Sequence, residues 1–430
     1  MSRKLIGPFS EIITMEHLPQ RGPIEDGLLE VVRDGAVLLE GERIDRVVQR
    51  DEFDALCKGP CHPRLEVIEI KRETVLVPGF VDAHTHICFA GSRSDDYARR
   101  LAGESYLDIA RRGGGIMSTV RSTRAASEDE LVSSLISRAV QHLQMGVTTC
   151  EVKSGYGLGP AEETKMLRSI RRVNGTDVPH PQLVPTCLAA HLVPPESDGP
   201  KVYLDMILRD LLPFVWKEGL AKRVDIYVDK GAFSPEVAIP FLSRAKALGF
   251  AVTVHADQFS VGGSRVAAEV GALSADHLEQ SEDEELEGLR EADVIATVLP
   301  GSSIGLGLPF ARAREMLDQG LSLVIASDWN PGSAPMGDLL TEAAILGANQ
   351  RMSTAETLAA ITFRAAKALS LEDRGRIHQG ARGDLVGFPC SDHREILYRQ
   401  GALRPNVVIC GGKNVPLSES CTEVEKNGNG

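Results

Sequence analysis

The chain has no run of about 18 consecutive apolar residues, so the sequence predicts no membrane-spanning helix. Its first residues, MSRKLIGPFS, lack the apolar core of a secretory signal. Positive charge is in deficit: 47 Lys and Arg face 60 Asp and Glu, a formal net charge of −13. That balance argues against a nucleic-acid partner, whose phosphates call for a basic stripe. One local arginine can still hold an anionic small molecule. Eight cysteines are scattered, with no Cys-x-x-Cys pair. Cys57, Cys61 and His62 come nearest to a structural zinc cluster, but no second Cys/His pair follows, and thiols in a reducing cytoplasm are the expectation. Gly113–Gly115 is not followed by the Lys-Ser/Thr of a phosphate loop.

What is present is an ordinary globular composition, 43% hydrophobic and 25% charged, in 430 residues. That length suits one large domain and a smaller one. Residues 1–74 read as short strands broken by turns, including Gly35-Ala-Val-Leu-Leu-Glu-Gly and Arg43-Ile-Asp-Arg-Val-Val. Residues 371–415 repeat the pattern in Gly383-Asp-Leu-Val-Gly-Phe, Glu395-Ile-Leu-Tyr and Asn406-Val-Val-Ile-Cys. The two ends together predict a small composite β-sandwich domain. Residues 416–430, rich in Ser, Glu, Asn and Gly, read as a disordered tail.

Between residues 75 and 370, strand-like runs alternate with amphipathic helices. Strands are predicted at Val75–Asp82, Val147–Val152, Gln182–Ala190, Val224–Val228, Ala251–Ala256, Ser274–His277, Val294–Leu299 and Leu323–Ser327. Helices are predicted at Glu128–Met145, Ala161–Val173, Pro235–Leu248 and Ala311–Gln319. Eight strands separated by helices over about 250 residues predict an α/β fold of the (β/α)8, TIM-like barrel type. A doubly wound sheet is the alternative, but no Gly-x-Gly-x-x-Gly follows the first strand.

In such barrels, residues at the C-terminal ends of the strands face the active site. The first strand runs into VLVPGFVDAHTH, where His84 and His86 share a face because strand side chains alternate. Strand two ends in Glu151-Val-Lys153-Ser-Gly-Tyr156-Gly, strand three in His191, strand five in His255-Ala-Asp-Gln258 and strand six in His277. Strand eight ends in Ser327-Asp328-Trp-Asn330-Pro-Gly332-Ser333. Five of the eleven histidines fall at these ends. The other six (His17, His62, His142, His180, His378 and His393) read as ordinary surface or core residues. His84, His86, His255 and Asp328 form a three-nitrogen, one-oxygen donor set suited to zinc or non-haem iron, with room for water. Such an ion would lower the pKa of water towards about 7 and so favour hydrolysis.

The Pro-Gly-Phe-Val-Asp-Ala-His-x-His run resembles the opening motif of the amidohydrolase superfamily. Ala90-Gly-Ser-Arg93, Arg112-Gly-Gly-Gly115, Lys153-Ser-Gly-Tyr156-Gly, His255-Ala-Asp-Gln258, Ser274-Ala-Asp-His277-Leu-Glu and Ser327-Asp-Trp-Asn330-Pro-Gly-Ser333 narrow the resemblance to the imidazolonepropionases. It runs in order from about residue 75 to 390 of this sequence. It implies hydrolysis of 4-imidazolone-5-propanoate to N-formimidoyl-L-glutamate, a step of histidine breakdown. It also implies that His84, His86, His255 and Asp328 hold the metal. Arg93, Tyr156, His191, Gln258, Asn330, Gly332 and Ser333 would line the substrate site, and a homodimer is a further implication. A propionate arm suits Arg93 and Tyr156, and the ring edge suits His191 and Gln258. Gly332 would let backbone amides approach the ligand.

Some relatives of this kind carry Glu where this chain has Gln258, and an amide cannot serve as general base. The expectation is that Asp328 accepts the proton of the attacking water and later delivers it to the departing ring nitrogen. His277 would polarise the carbonyl or stabilise the oxyanion. Gly301-Ser-Ser303-Ile-Gly305 matches the serine-hydrolase elbow, but reads as a loop over the substrate. Lys153 reads as a structural or charge-balancing lysine instead of a carboxylated metal bridge. Glu282–Glu287 reads as a solvated helix start. The rival readings are a deaminase of a purine- or pyrimidine-like heterocycle, disfavoured by Gln258, and a non-catalytic ligand-binding barrel, disfavoured by the intact donor set.

Overall fold

The computed structural model describes residues 3–58, 65–104 and 106–417. The predicted tail beyond 417, and the Cys61–His62 pair, lie outside the described residues. Two eight-stranded sheets organise the chain.

The first sheet is built from both termini. Its order is Lys413–Asn414, Val407–Cys410, Leu385–Phe388, Val75–Pro78, Arg3–Ile13, Val31–Glu40 and Arg43–Val48, with Leu65–Glu69 paired in parallel to Arg3–Ile13. Alternation along the strands, reset by a register shift between Ile6 and Phe9, sends Ile6, Phe9, Val37 and Leu39 into one apolar cluster with Leu76, Leu385 and Ile409. Leu5, Ala36 and Leu38 go to the opposite face, where Phe53 of helix Arg50–Lys58 covers them. Glu395-Ile-Leu-Tyr, expected as a strand, is instead the helix Arg394–Tyr398. Asp392 accepts from the Arg394 backbone N–H, which starts the turn, and Ile396 is the buried anchor of the helix.

The second sheet is a parallel barrel in strictly sequential order. Its strands are Phe80–Asp82, Val147–Lys153, Gln182–Ala190, Arg223–Val228, Ala251–Ala256, Ser274–His277, Ile295–Val298 and Leu323–Ile325. Most of their residues are buried, as expected for parallel strands covered by helices outside and packed side chains inside. The run Val75–Asp82, expected as one strand, is split at Pro78-Gly79. Its first half joins the terminal sheet and its second half opens the barrel. Gly79 is needed there, since a Cβ would run into Thr148 and Asp384. Among the described residues, no helix is long and apolar enough to cross a membrane.

First and last barrel strands close the ring beyond their own ends. A parallel bridge pairs Thr85 with Trp329. The Asp328 N–H donates to the His84 carbonyl at 3.0 Å, and the His86 N–H to the Trp329 carbonyl at 2.9 Å. Asp82 locks this seam by accepting from the Ser327 N–H (3.1 Å) and hydroxyl (2.5 Å).

Candidate active site

The seam puts His84, His86 and Asp328 side by side, and the fifth strand adds His255. Nε2 of His86 lies 3.2 Å from Nε2 of His84 and 3.3 Å from Nε2 of His255. Asp328 Oδ1 is 3.4 Å from His86 Nε2 and 3.6 Å from His84 Nε2. All four side chains are almost fully buried. Zinc–nitrogen bonds of roughly 2.0–2.1 Å in a tetrahedron require donors about 3.3 Å apart. The four separations above are close to that size; the three imidazoles form a cluster with nitrogens all within 4.8 Å of one another, and Asp328 flanks it beside His84 and His86.

The tautomers agree with this fit. His84 Nδ1 lies 2.7 Å from Asp276 Oδ2 and His255 Nδ1 lies 3.0 Å from Asp225 Oδ2. A ring that donates from Nδ1 to a carboxylate keeps a bare lone pair on Nε2. Burial first, and then neighbouring positive groups, holds His84 and His86 well below the ordinary imidazole pKa. Neutral lone pairs converging at these distances call for a cation between them. Nearby, Lys153 Nζ sits 2.8 Å from both Glu151 and Asp225 and 3.7 Å from Asp276, with Arg223 3.5 Å from Glu151. The four carboxylates of Glu151, Asp225, Asp276 and Asp328 against these two cations leave a formal −2, which a divalent ion neutralises. Burial lowers the Lys153 pKa, but Asp225, Glu151 and Asp276 outweigh it and raise it overall. A protonated, triply surrounded amine is the charge-balancing lysine of the sequence reading.

One cleft is lined by His86, Arg93, Tyr156, His191, His255, Gln258, His277, Asp328, Asn330, Gly332 and Ser333. The structure therefore brings together the residues expected in the metal and substrate site, with His84 next to His86. The triple-glycine segment explains Arg93: Asp96 accepts from Arg93 Nε at 2.9 Å and from the Gly115 N–H at 2.8 Å. A Cβ at Gly114 would strike Asp96 and Ile109. The Lys-Ser-Gly-Tyr-Gly turn wraps the buried Glu163 carboxylate, which accepts from the N–H groups of Gly155, Gly157 and Leu158 at 3.0, 2.7 and 2.8 Å. Gly155 has φ +108° and its carbonyl accepts from His191 Nδ1 at 3.0 Å. Burial pushes His191 down to about 3, so it is neutral, and donation from Nδ1 leaves Nε2 as acceptor.

The strand-eight turn departs from expectation in one respect. Asn330 spends its whole amide locally: Nδ2 donates to Asp328 O (2.7 Å) and Ser333 Oγ (2.9 Å), and Oδ1 accepts from the Gly332 and Ser333 N–H groups at 2.7 and 2.8 Å. The Gly332 amide is therefore not offered to a ligand. Its missing Cβ instead leaves room for the Arg93 guanidinium, which a side chain would strike. Gly301–Gly305 is likewise no loop but part of helix Pro300–Leu306, and the Ser303 hydroxyl is 3.3 Å from Glu279. Of the acidic run, Glu285 is buried and paired with Arg265 instead of solvated.

Two rim groups carry shifted pKa values. Burial raises the Asp328 carboxyl to about 6. For His277, burial disfavours the charged form, but Glu279 (3.6 Å from Nδ1), Asp328 and Asp276 raise its pKa overall. Both residues have left-handed backbone, φ +52° and +92°, a strain held by the seam and by the ends of their strands.

With this geometry in view, relatives can be compared. The amidohydrolase family profile matches residues 109–415. An imidazolonepropionase of Myxococcus xanthus is 42% identical over 95% of this chain and 96% of its own. One of Symbiobacterium thermophilum is 43% identical over 92% and 93%. The chain belongs to the imidazolonepropionases, within the amidohydrolase family. Among solved structures, atrazine chlorohydrolase TrzN from Arthrobacter aurescens TC1 complexed with zinc superposes with a TM-score of 0.68 over 97% of this chain and 96% of its own, at 14% identity. That likeness is one of fold. Sequence reasoning about this imidazolonepropionase family member missed Asp225, Tyr227 and Asp276. The signal was there: Asp225 and Tyr227 share a strand face at the same i, i+2 spacing as His84 and His86, and strand register sets Tyr227 and Asp276 beside His255. Arg100, which donates to the carbonyls of Gly305 and Gly332, gave no such signal.

Proposed function

We propose that this protein hydrolyses 4-imidazolone-5-propanoate to N-formimidoyl-L-glutamate, with one zinc or iron ion held by His84, His86, His255 and Asp328. The observation that carries the reading is the convergence of three buried imidazole nitrogens, with Asp328 beside two of them, beneath a cleft that also holds Arg93, Tyr156 and His191. A metal bound there supplies Lewis acidity and lowers the pKa of water.

The chain's own residues do the rest. Arg93, fixed by Asp96, and Tyr156 take the propionate. His191 and Gln258 face the polar edge of the ring. Asp328 takes the proton of the attacking water and returns it to the ring nitrogen that leaves as the C–N bond breaks. His277, favoured in its charged form by Glu279, donates to the carbonyl oxygen as negative charge gathers there. Asn330 and Ser333 shape the turn that carries Asp328. Gly332 makes space for Arg93.

The test is loss of imidazolone ultraviolet absorbance on protein loaded with zinc or with iron, with the product identified by mass. Turnover with a one-to-one metal content is expected. Absence of imidazolone turnover with either metal, alongside release of ammonia from a purine or pyrimidine, would overturn the proposal.

A further inference from the structure

The cleft contains one neutral side chain anchored at both ends. Gln258 is buried three residues beyond His255. Its Oε1 accepts from the Tyr227 hydroxyl at 2.9 Å, and its Nε2 donates to Ser302 Oγ at 3.1 Å. Tyr227 comes from the fourth barrel strand, in register with His255. Ser302, fully buried, comes from the helix that follows the seventh strand. A primary amide has two lone pairs on oxygen and two N–H donors on nitrogen. Tyr227 consumes one valence at the oxygen and Ser302 one at the nitrogen, and together they stop rotation of the amide plane. One acceptor and one donor are left side by side. Because a hydroxyl both donates and accepts, this remainder is the same whichever way round the amide sits.

We infer that Tyr227 and Ser302 are positioning residues that hold Gln258 as a paired donor and acceptor, selecting a heterocycle edge on which N–H stands beside C=O. The inference rests on the proposed function and deepens it. An imidazolone has such a lactam edge and an imidazole does not. A carboxylate at position 258 would offer acceptors only and would require both hydroxyls to donate to it. The clamp therefore gives a physical reason for Gln at this position in this chain.

Two competitive inhibitors of the metal-loaded full-length enzyme separate the clamp from general packing. Hydantoin-5-propionate carries N–H beside C=O, whereas imidazole-4-propionate shares the arm and ring size without a carbonyl. The wild-type protein is expected to prefer the hydantoin. Y227F and S302A should each weaken the hydantoin by about tenfold, the worth of one neutral hydrogen bond, while weakening imidazole-4-propionate by less than about twofold. KM for the imidazolone should rise with kcat nearly unchanged. Equal weakening of both ligands, or a preference that survives both substitutions, would overturn the clamp. Wild-type protein that turns over imidazolone without preferring the hydantoin would overturn the clamp alone. Wild-type protein that neither turns over imidazolone nor binds either ligand would overturn the functional reading beneath it.

Discussion

Lys153 and Asp225 form a completely buried ion pair, Nζ to Oδ2 2.8 Å, and the same Asp225 oxygen lies 3.0 Å from Nδ1 of His255. One ammonium thus fixes, through a carboxylate, the imidazole that faces the proposed metal. Removing it leaves Glu151, Asp225 and Asp276 with Arg223, 3.5 Å from Glu151, as the remaining neighbouring cation. Lys153→Met is expected to lower the unfolding free energy by about 3–5 kcal/mol in urea titration. Asp225→Asn should fold but bind metal about 10–100-fold more weakly in chelator competition. Unchanged affinity in Asp225→Asn would detach this carboxylate from the metal site.

Asp328→Asn and His277→Ala, compared at matched metal occupancy, should each lower kcat by about 10²–10⁴-fold, the range for lost proton transfer or oxyanion stabilisation. Near-normal turnover in either variant would remove its assigned role. Comparing at equal occupancy matters because Asp328 also belongs to the donor set.

Metal uptake by the stripped protein should depend on pH through Asp328. Burial raises this carboxyl to about 6, so below that pH it is protonated and competes poorly for a cation. Burial holds His84 and His86 well below the ordinary imidazole range. Affinity measured calorimetrically should fall as pH drops from 7 through about 6 to 5. A flat profile would rule out Asp328 as the controlling proton.

Gly332→Ala should act at a distance through Arg93. The new methyl strikes the guanidinium, which is the proposed carboxylate partner. KM should rise about tenfold or more with a smaller change in kcat, as for a lost ground-state contact. An inhibitor lacking the propionate should bind both proteins equally well. If that truncated ligand is weakened to the same degree, the effect lies in the turn and not in Arg93.

The barrel and the placement of its strand-end histidines could be read from sequence because periodicity and strand ends carry them. Ser274–His277 and Ala251–Ala256 have the boundaries expected of them, and the five strand-end histidines converge as expected. What escaped notice depended on packing between distant segments. Asp225 and Asp276 look like ordinary strand acids until the register places them behind His255 and His84. Gly332 reads as an open approach for a ligand until Asn330 is seen to consume its N–H. The turn after Pro300 continues as helix even though glycines are frequent in it, because Leu299 O receives the first N–H groups and Gly307, at φ +68°, ends the helix cleanly. Propensity alone understated that outcome.

The joint between Thr85 and Trp329 links residues nearly 250 positions apart in the chain, and three of the four proposed ligands straddle it. A ribosome must therefore release almost the entire barrel before the four proposed ligands can meet. A chain stopping short of the eighth strand keeps the three imidazoles but lacks Asp328, so full coordination would come last in assembly.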